Sequence, residues 1–179
     1  MSEKCILILG GARSGKSSFA QELAGKFSKK VLFVATGEAL DEEMQARIDD
    51  HKKSRPVHWR TLEATDNVGK QIEKNIGDAE VILIDCLTLL VSNLLCDELD
   101  YAEAEKQVLA EINELIACMD KLDSTFIIVS NELGLGLVPE TRLGRIYRDL
   151  LGKVNQLIAR HATEVYLMVA GIPMKIKGR

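Results

Sequence analysis

Gly10-Gly11-Ala12-Arg13-Ser14-Gly15-Lys16-Ser17 follows directly on the apolar run Ile6-Leu7-Ile8-Leu9 and leads into a helix-like Ser18-Phe19-Ala20-Gln21-Glu22-Leu23-Ala24. The spacing G-x-x-x-x-G-K-S between a strand and a helix is that of a phosphate-binding loop. Glycines lack a Cβ, so the main chain can turn tightly and aim several N–H groups at phosphate oxygens. The helix that follows adds the positive end of its dipole. Lys16 is placed to neutralise the outer phosphates, and the Ser17 hydroxyl to complete the shell of a bound Mg²⁺. A nucleoside triphosphate is the expected ligand.

A second acid belongs with this loop. Val81-Ile82-Leu83-Ile84-Asp85 is an apolar strand ending in a carboxylate. In phosphate-loop proteins such an acid holds Mg²⁺ directly or through water. Asp is also common where any strand meets a loop, but beside an established phosphate loop the metal role is the favoured reading. Thr36-Gly37-Glu38 ends the second predicted strand, on the sheet edge where open α/β folds collect ligands. Its other reading is a helix start, with Thr36 or Asp41 as the cap.

The stretch Leu40 to Arg55 is strongly charged and is stopped by Pro56. Met44, Ile48 and His51 share one helical face, while Arg47, His51 and Arg55 form an i, i+4, i+8 line. A half-buried histidine ending a helix accounts for this pattern. So does a nucleophile: an imidazole nitrogen can attack phosphorus while flanking guanidiniums bind the oxygens and keep the lone pair free. His58 and His161 have no comparable setting, and His161 reads as a helix C-terminal residue.

The elements that must position these groups alternate regularly. Strands are expected at about 4–9, 31–35, 80–84, 125–130 and 164–170, with a weaker one at about 57–62. Helices are expected at about 16–27, 40–54, 65–75, 101–121 and 141–161. Strands apolar on both faces and separated by helices describe a mostly parallel sheet covered on both sides. Near the end, Val165 to Ala170, then Gly171-Ile172-Pro173, then Met174 to Lys177, predict an antiparallel hairpin at the sheet edge.

With 179 residues, the chain suits one α/β domain spanning residues 1–179. A balance of 23 basic against 27 acidic residues, net −4, gives no footing for a nucleic-acid surface. The longest apolar stretch, Val81 to Cys96, is interrupted by Asp85 and too short to span a bilayer. No secretory leader is recognisable at the start. Cys5, Cys86, Cys96 and Cys118 are widely spaced and read as buried thiols in a reducing cytoplasm. On residues alone, three functions stay open: a transferase using His51 covalently, a small-molecule kinase without a covalent intermediate, and a slow nucleotide switch. The absence of an N-K-x-D motif weighs against the switch.

The chain also resembles a known family. The carriers are Gly10 to Ser17, the A-R-I-x-x-H-K-x-x-R-P-x-x-W stretch from Ala46 to Trp59, and Arg60-Thr61-Leu62-Glu63. Asn131-Glu132-Leu133-Gly134-Leu135-Gly136-Leu137-Val138-Pro139-Glu140, Arg148-Asp149 with Gly152 and Asn155-Gln156, and Gly171-Ile172-Pro173 complete the match. Together they are similar to the bifunctional adenosylcobinamide kinase/adenosylcobinamide-phosphate guanylyltransferases of cobalamin biosynthesis. The resemblance implies a phosphate-loop, RecA-like three-layer fold and a homotrimer. It implies that His51 attacks the α-phosphate of GTP to give a GMP–histidine intermediate, from which adenosylcobinamide phosphate takes GMP. The same chain would phosphorylate adenosylcobinamide with ATP or GTP. By position, Gly10 to Ser17 with Lys16 hold the phosphates, and Ser17 and Asp85 hold Mg²⁺. Thr36, Gly37, Glu38, Lys52, Lys53, Ser54, Arg55, Glu63 and Asp85 form the rest of the guanine nucleotide site. The acid at position 85 is often Glu in the family, so Asp85 keeps the charge at a shorter reach. The loop Asn131 to Glu140, completed by a neighbouring subunit, is the expected corrinoid pocket.

Overall fold

A computed structural model describes residues 5–37, 55–96 and 100–178. The elements in chain order are β1 (Cys5–Gly10), α1 (Lys16–Phe27), β2 (Val31–Ala35), β3 (Arg60–Glu63), α2 (Val68–Asn75) and β4 (Val81–Asp85). They continue with α3 (Leu87–Asn93), α4 (Tyr101–Lys121), β5 (Thr125–Asn131), α5 (Arg142–His161), β6 (Glu164–Val169) and β7 (Ile172–Lys177). One seven-stranded sheet has the order β3-β2-β4-β5-β1-β6-β7, parallel throughout except that β7 runs antiparallel to β6. The expected helix over 40–54 lies outside the described residues.

Every residue of β1 and β2 is buried because helices cover both faces of the sheet. Ile6, Ile8, Val31, Phe33, Val81, Leu83, Ile127 and Val129 pack on one side, against Ala20 and Ala24 of α1 and the Trp59 indole. Leu7, Leu9, Leu32, Val34, Ile82, Ile84, Phe126 and Ile128 pack on the other, against α2, α3, α4 and α5. Each such aliphatic side chain removed from water contributes about 1.5–3 kcal/mol. The strict alternation then fixes which face every polar residue at a strand end takes.

The long helices carry their own signals. Asp100 caps α4 by accepting from the Glu103 amide at 2.8 Å, and Glu103 reaches back to the Asp100 amide. Ala104, Val108, Ile112, Leu115 and Met119 form the buried stripe of that helix. At Gly69 a Cβ would meet the Glu114 carbonyl at 2.8 Å, so α2 approaches α4 only because glycine stands there.

Three readings need correction or completion. Helix α3 is absent from the expected elements: inside the continuous apolar run from Val81, no helical period stands out, and the break after Asp85 is what separates strand from helix. The weak third strand is a four-residue edge strand, Arg60–Glu63. Of the four cysteines, Cys5 and Cys118 are buried, but Cys96 is exposed and Cys86 only partly covered. Among the described residues, no helix is long and apolar enough to cross a membrane.

Candidate functional site

β1 ends at Gly10, and α1 begins at Lys16. Between them the chain turns back, with the Ser14 amide 3.4 Å from the Gly11 carbonyl. Gly15 precedes the helix at φ +90°, a conformation that side-chain-bearing residues rarely adopt. Having no side chain, it leaves the first-turn amides uncapped, as anion binding at a helix start requires.

The Lys16 ammonium is folded into this loop. It is 8% exposed and donates to the Gly11 carbonyl at 2.5 Å. Burial lowers its pKa, while the nearby Cys86 thiol and Asp85 carboxylate act in the opposite direction. Ser14 is also buried, and its hydroxyl has no hydrogen-bond partner among the described residues. A buried hydroxyl and a buried ammonium within one glycine turn suit an anion, which would satisfy both.

The loop is braced from both sides. The Glu132 amide donates to the Gly10 carbonyl at 3.0 Å, and the Gly171 amide to the Ser14 carbonyl at 3.0 Å. A Cβ on Gly10 would lie 2.7 Å from both the Met168 carbonyl and the Ser14 hydroxyl. The glycine at position 10 is therefore a packing requirement of the β1–β6 contact as well as a loop residue.

Further along the same edge, Ala35 is in register with both Glu63 and Asp85, so β3, β2 and β4 end in one row. Asp85 continues the Val81, Leu83 face, the side on which α1 lies. The donors that Mg²⁺ would find are the Ser17 hydroxyl and the Asp85 carboxylate. One hydroxyl and one carboxylate suit an ion that takes its remaining ligands from phosphate and water.

The Arg55 guanidinium carbon lies over the Phe33 ring, 3.6 Å from the ring centroid. Its Nε and Nη1 are buried without a hydrogen-bond partner among the described residues. Burial lowers its pKa, opposed by Asp85 and Glu63. Arg55, Pro56, Val57, Trp59, Thr61 and Glu63 line a cleft of about 430 Å³. A flat cation with unused donors, an acid and an indole in one cleft are recognition groups for a polar aromatic base or a phosphate.

Thr36 is a brace. It is fully buried, and its hydroxyl donates to the Cys86 carbonyl at 2.6 Å and accepts from the Cys86 amide at 2.8 Å. Its carbonyl accepts from Asn93 at 2.8 Å. Gly37 follows it, partly exposed. His51, Glu38, Lys52, Lys53 and Ser54 lie outside the described residues. His161, in the last turn of α5, sits 3.3 Å from Asp120.

Four braces are not found as site residues by reading the sequence: Thr88, whose hydroxyl accepts from the Asn131 amide, Tyr147, which donates to the Thr88 carbonyl, Asn155, which donates to the Asn131 carbonyl, and Gly171. A single threonine in the apolar run after Asp85, or an asparagine on a helix, carries no signal until the fold brings it to the sheet edge. Asn155 and Gly171 stand inside motifs, without a role attached.

A family model described as "Cobinamide kinase / cobinamide phosphate guanyltransferase" matches residues 6–176. The chain is 46% identical over 180 residues to the "Bifunctional adenosylcobalamin biosynthesis protein CobU" of Escherichia coli (strain K12), covering 96% of this chain and 99% of that protein. It is 44% identical to the protein of the same name from Salmonella typhimurium, with the same coverage. To the "Bifunctional adenosylcobalamin biosynthesis protein CobP" of Pseudomonas aeruginosa it is 43% identical, covering 96% of each chain. Among solved structures, it is similar to an ATPase domain, with a TM-score of 0.53 at 13% identity, covering 92% of this chain and 69% of that one. That last likeness is one of fold, the phosphate-loop ATPase fold.

Proposed function

This chain belongs to the cobinamide kinase / cobinamide phosphate guanyltransferase family, and from that premise we propose that it catalyses both reactions in one domain, residues 1–179. It is a bifunctional transferase of adenosylcobalamin biosynthesis. In the kinase step the adenosylcobinamide hydroxyl attacks the γ-phosphorus of ATP or GTP. The bond to the bridging oxygen breaks, the nucleoside diphosphate leaves and the hydroxyl proton passes to solvent or a base.

In the transferase step an imidazole nitrogen of His51 attacks the α-phosphorus of GTP, and the bond to pyrophosphate breaks. A phosphate oxygen of adenosylcobinamide phosphate then attacks the same phosphorus, the P–N bond breaks and His51 is regenerated. The product is adenosylcobinamide-GDP.

The observation that carries this reading is the buried Lys16 and Ser14 pair in the glycine turn, on the same sheet face as Asp85. Gly10, Gly11, Ala12, Arg13, Ser14, Gly15, Lys16 and Ser17 would cradle the phosphates. Mg²⁺, held by Ser17 and Asp85, would supply charge neutralisation at the phosphates. Arg55 and Glu63 would contact the nucleotide from the far end of the edge, with Thr36 holding that edge in place. Gly37, Glu38, Lys52, Lys53 and Ser54 complete the site by resemblance alone.

The corrinoid would lie against the loop after β5, where Leu135, Leu137 and Val138 are exposed. A homotrimer in the cytoplasm is the assembly the resemblance implies. The apolar Val169, Ile172, Met174 and Ile176 of the exposed hairpin offer it a contact face.

The test is to incubate the protein with α-³²P-GTP and Mg²⁺, denature it, and count chain-bound label beside His51→Ala. Acid-labile label on the wild type alone establishes the histidine intermediate. No label and no pyrophosphate release would leave a simple kinase.

A further inference from the structure

β5 lies between β1, which carries the phosphate loop, and β4, which carries Asp85. Anything held jointly by Lys16 and by a metal on Asp85 must therefore sit over the end of β5. That end is Asn131, whose Cα is in register with Gly10. Ile127 and Val129 pack on the α1 face of the sheet, so alternation brings the Asn131 side chain to the same face as the loop and Asp85.

The main chain of Asn131 is pinned from the opposite face. Its amide donates to the Thr88 hydroxyl at 2.8 Å, and its carbonyl accepts from the Asn155 carboxamide at 2.9 Å. The Tyr147 hydroxyl donates to the Thr88 carbonyl at 3.0 Å, and the next amide, Glu132, is tied to Gly10. Thr88 and Asn155 are 7% and 5% exposed. Burying polar side chains is costly unless they are bonded. Here the Thr88 hydroxyl and the Asn155 Nδ2 are bonded to one residue's main chain, which sets the direction of its Cα–Cβ bond, while the Asn155 Oδ1 has no partner among the described residues.

We infer that the Asn131 carboxamide contacts the terminal phosphoryl group in the kinase step: its N–H donates to a γ-phosphate oxygen, and its C=O accepts from the incoming substrate hydroxyl. A carboxamide suits both partners because it offers donor and acceptor without adding charge beside Asp85. In guanylyl transfer the reacting phosphorus is the α one, farther along the triphosphate, and the contact matters less. The inference rests on the bifunctional reading above and gives the kinase step a residue of its own.

The experiment compares wild type, Asn131→Ala and Asn131→Asp in three measurements. These are phosphorylation of adenosylcobinamide by ATP, GMP transfer from GTP to separately prepared adenosylcobinamide phosphate, and nucleotide affinity by equilibrium titration. Asn131→Ala should lower the kinase kcat by about 100-fold, and Asn131→Asp by at least as much. In Asn131→Ala, nucleotide Kd should rise by less than about tenfold for the one lost donor, and GMP transfer should fall by clearly less than the kinase step. Asp keeps the shape of the side chain, so that variant tests chemistry even if Ala perturbs folding. Equal loss of both reactions, a parallel rise in Kd, or an unchanged kinase step would overturn the inference. Absence of phosphoryl transfer by the wild type would remove the kinase reading and the inference together.

Discussion

The Gly171 amide is bonded to the Ser14 carbonyl at 3.0 Å, which ties the turn of the edge hairpin to the middle of the phosphate loop. The same turn comes so close that a Cβ on Gly15 would lie 3.3 Å from the Gly171 Cα. The loop is therefore shaped by the C-terminal hairpin as well as by its own glycines.

Gly15→Ala should expose this dependence. The substitution sets a methyl against the turn and forces Ala to φ +90°, a strain of about 1–3 kcal/mol. Nucleotide affinity should fall by about tenfold or more, as read by titration with a fluorescent analogue. The urea midpoint should fall in the same variant. Unchanged affinity would mean that the loop tolerates displacement of the turn.

The hairpin also carries the proposed subunit contact. Met174→Glu combined with Ile176→Glu places charges on a strand whose side chains are all exposed, so the fold should survive. Light scattering should then report a monomer where the wild type is an oligomer. If the turn transmits assembly to the loop, the monomer will bind nucleotide more weakly. An unchanged mass would place the interface elsewhere.

Arg55→Lys separates planar recognition from charge. Lysine keeps the charge but cannot offer several donors in one plane over Phe33. The KM for GTP should rise by about tenfold with little change in the thermal midpoint. A large loss of stability with normal KM would make Arg55 a packing residue.

The buried thiols predict a pH dependence with a definite sign. Burial pushes Cys5 from its ordinary 9.0 up to about 12, and Cys118 up to about 11. Between the unfolded and folded values the folded chain keeps protons that the unfolded chain has released, so stability is full below pH 9.0 and is lost as pH rises through that window. Lys16 works the other way: its lowered pKa means that the folded chain binds fewer protons just below 10.5, and its contribution grows with pH there. The urea midpoint should decline between about pH 9 and 11, and the decline should be shallower in Cys5→Ala. Identical profiles would rule out the Cys5 contribution.

Much of this was legible in the chain itself. The strand–glycine turn–helix order at Gly10 to Ser17 is local, because backbone freedom and side-chain chemistry act within a dozen residues. The apolar period of α4 is local for the same reason, and the helix stands at Tyr101–Lys121 as the spacing predicts. Asp85 at the end of an apolar strand could be read, but its face could not, since only the packing of Val81 and Leu83 against α1 decides it. Helix α3 is hidden in an apolar run that looks the same whether strand or helix. The placing of Asn131 between Lys16 and Asp85 depends on β5 inserting between β1 and β4, strands distant from it in sequence. Strand order is settled by which faces the helices can cover, a property of the whole chain. The sequence by itself determined that a phosphate loop would form; only the tertiary structure decided which residues hold it open and which stand over it.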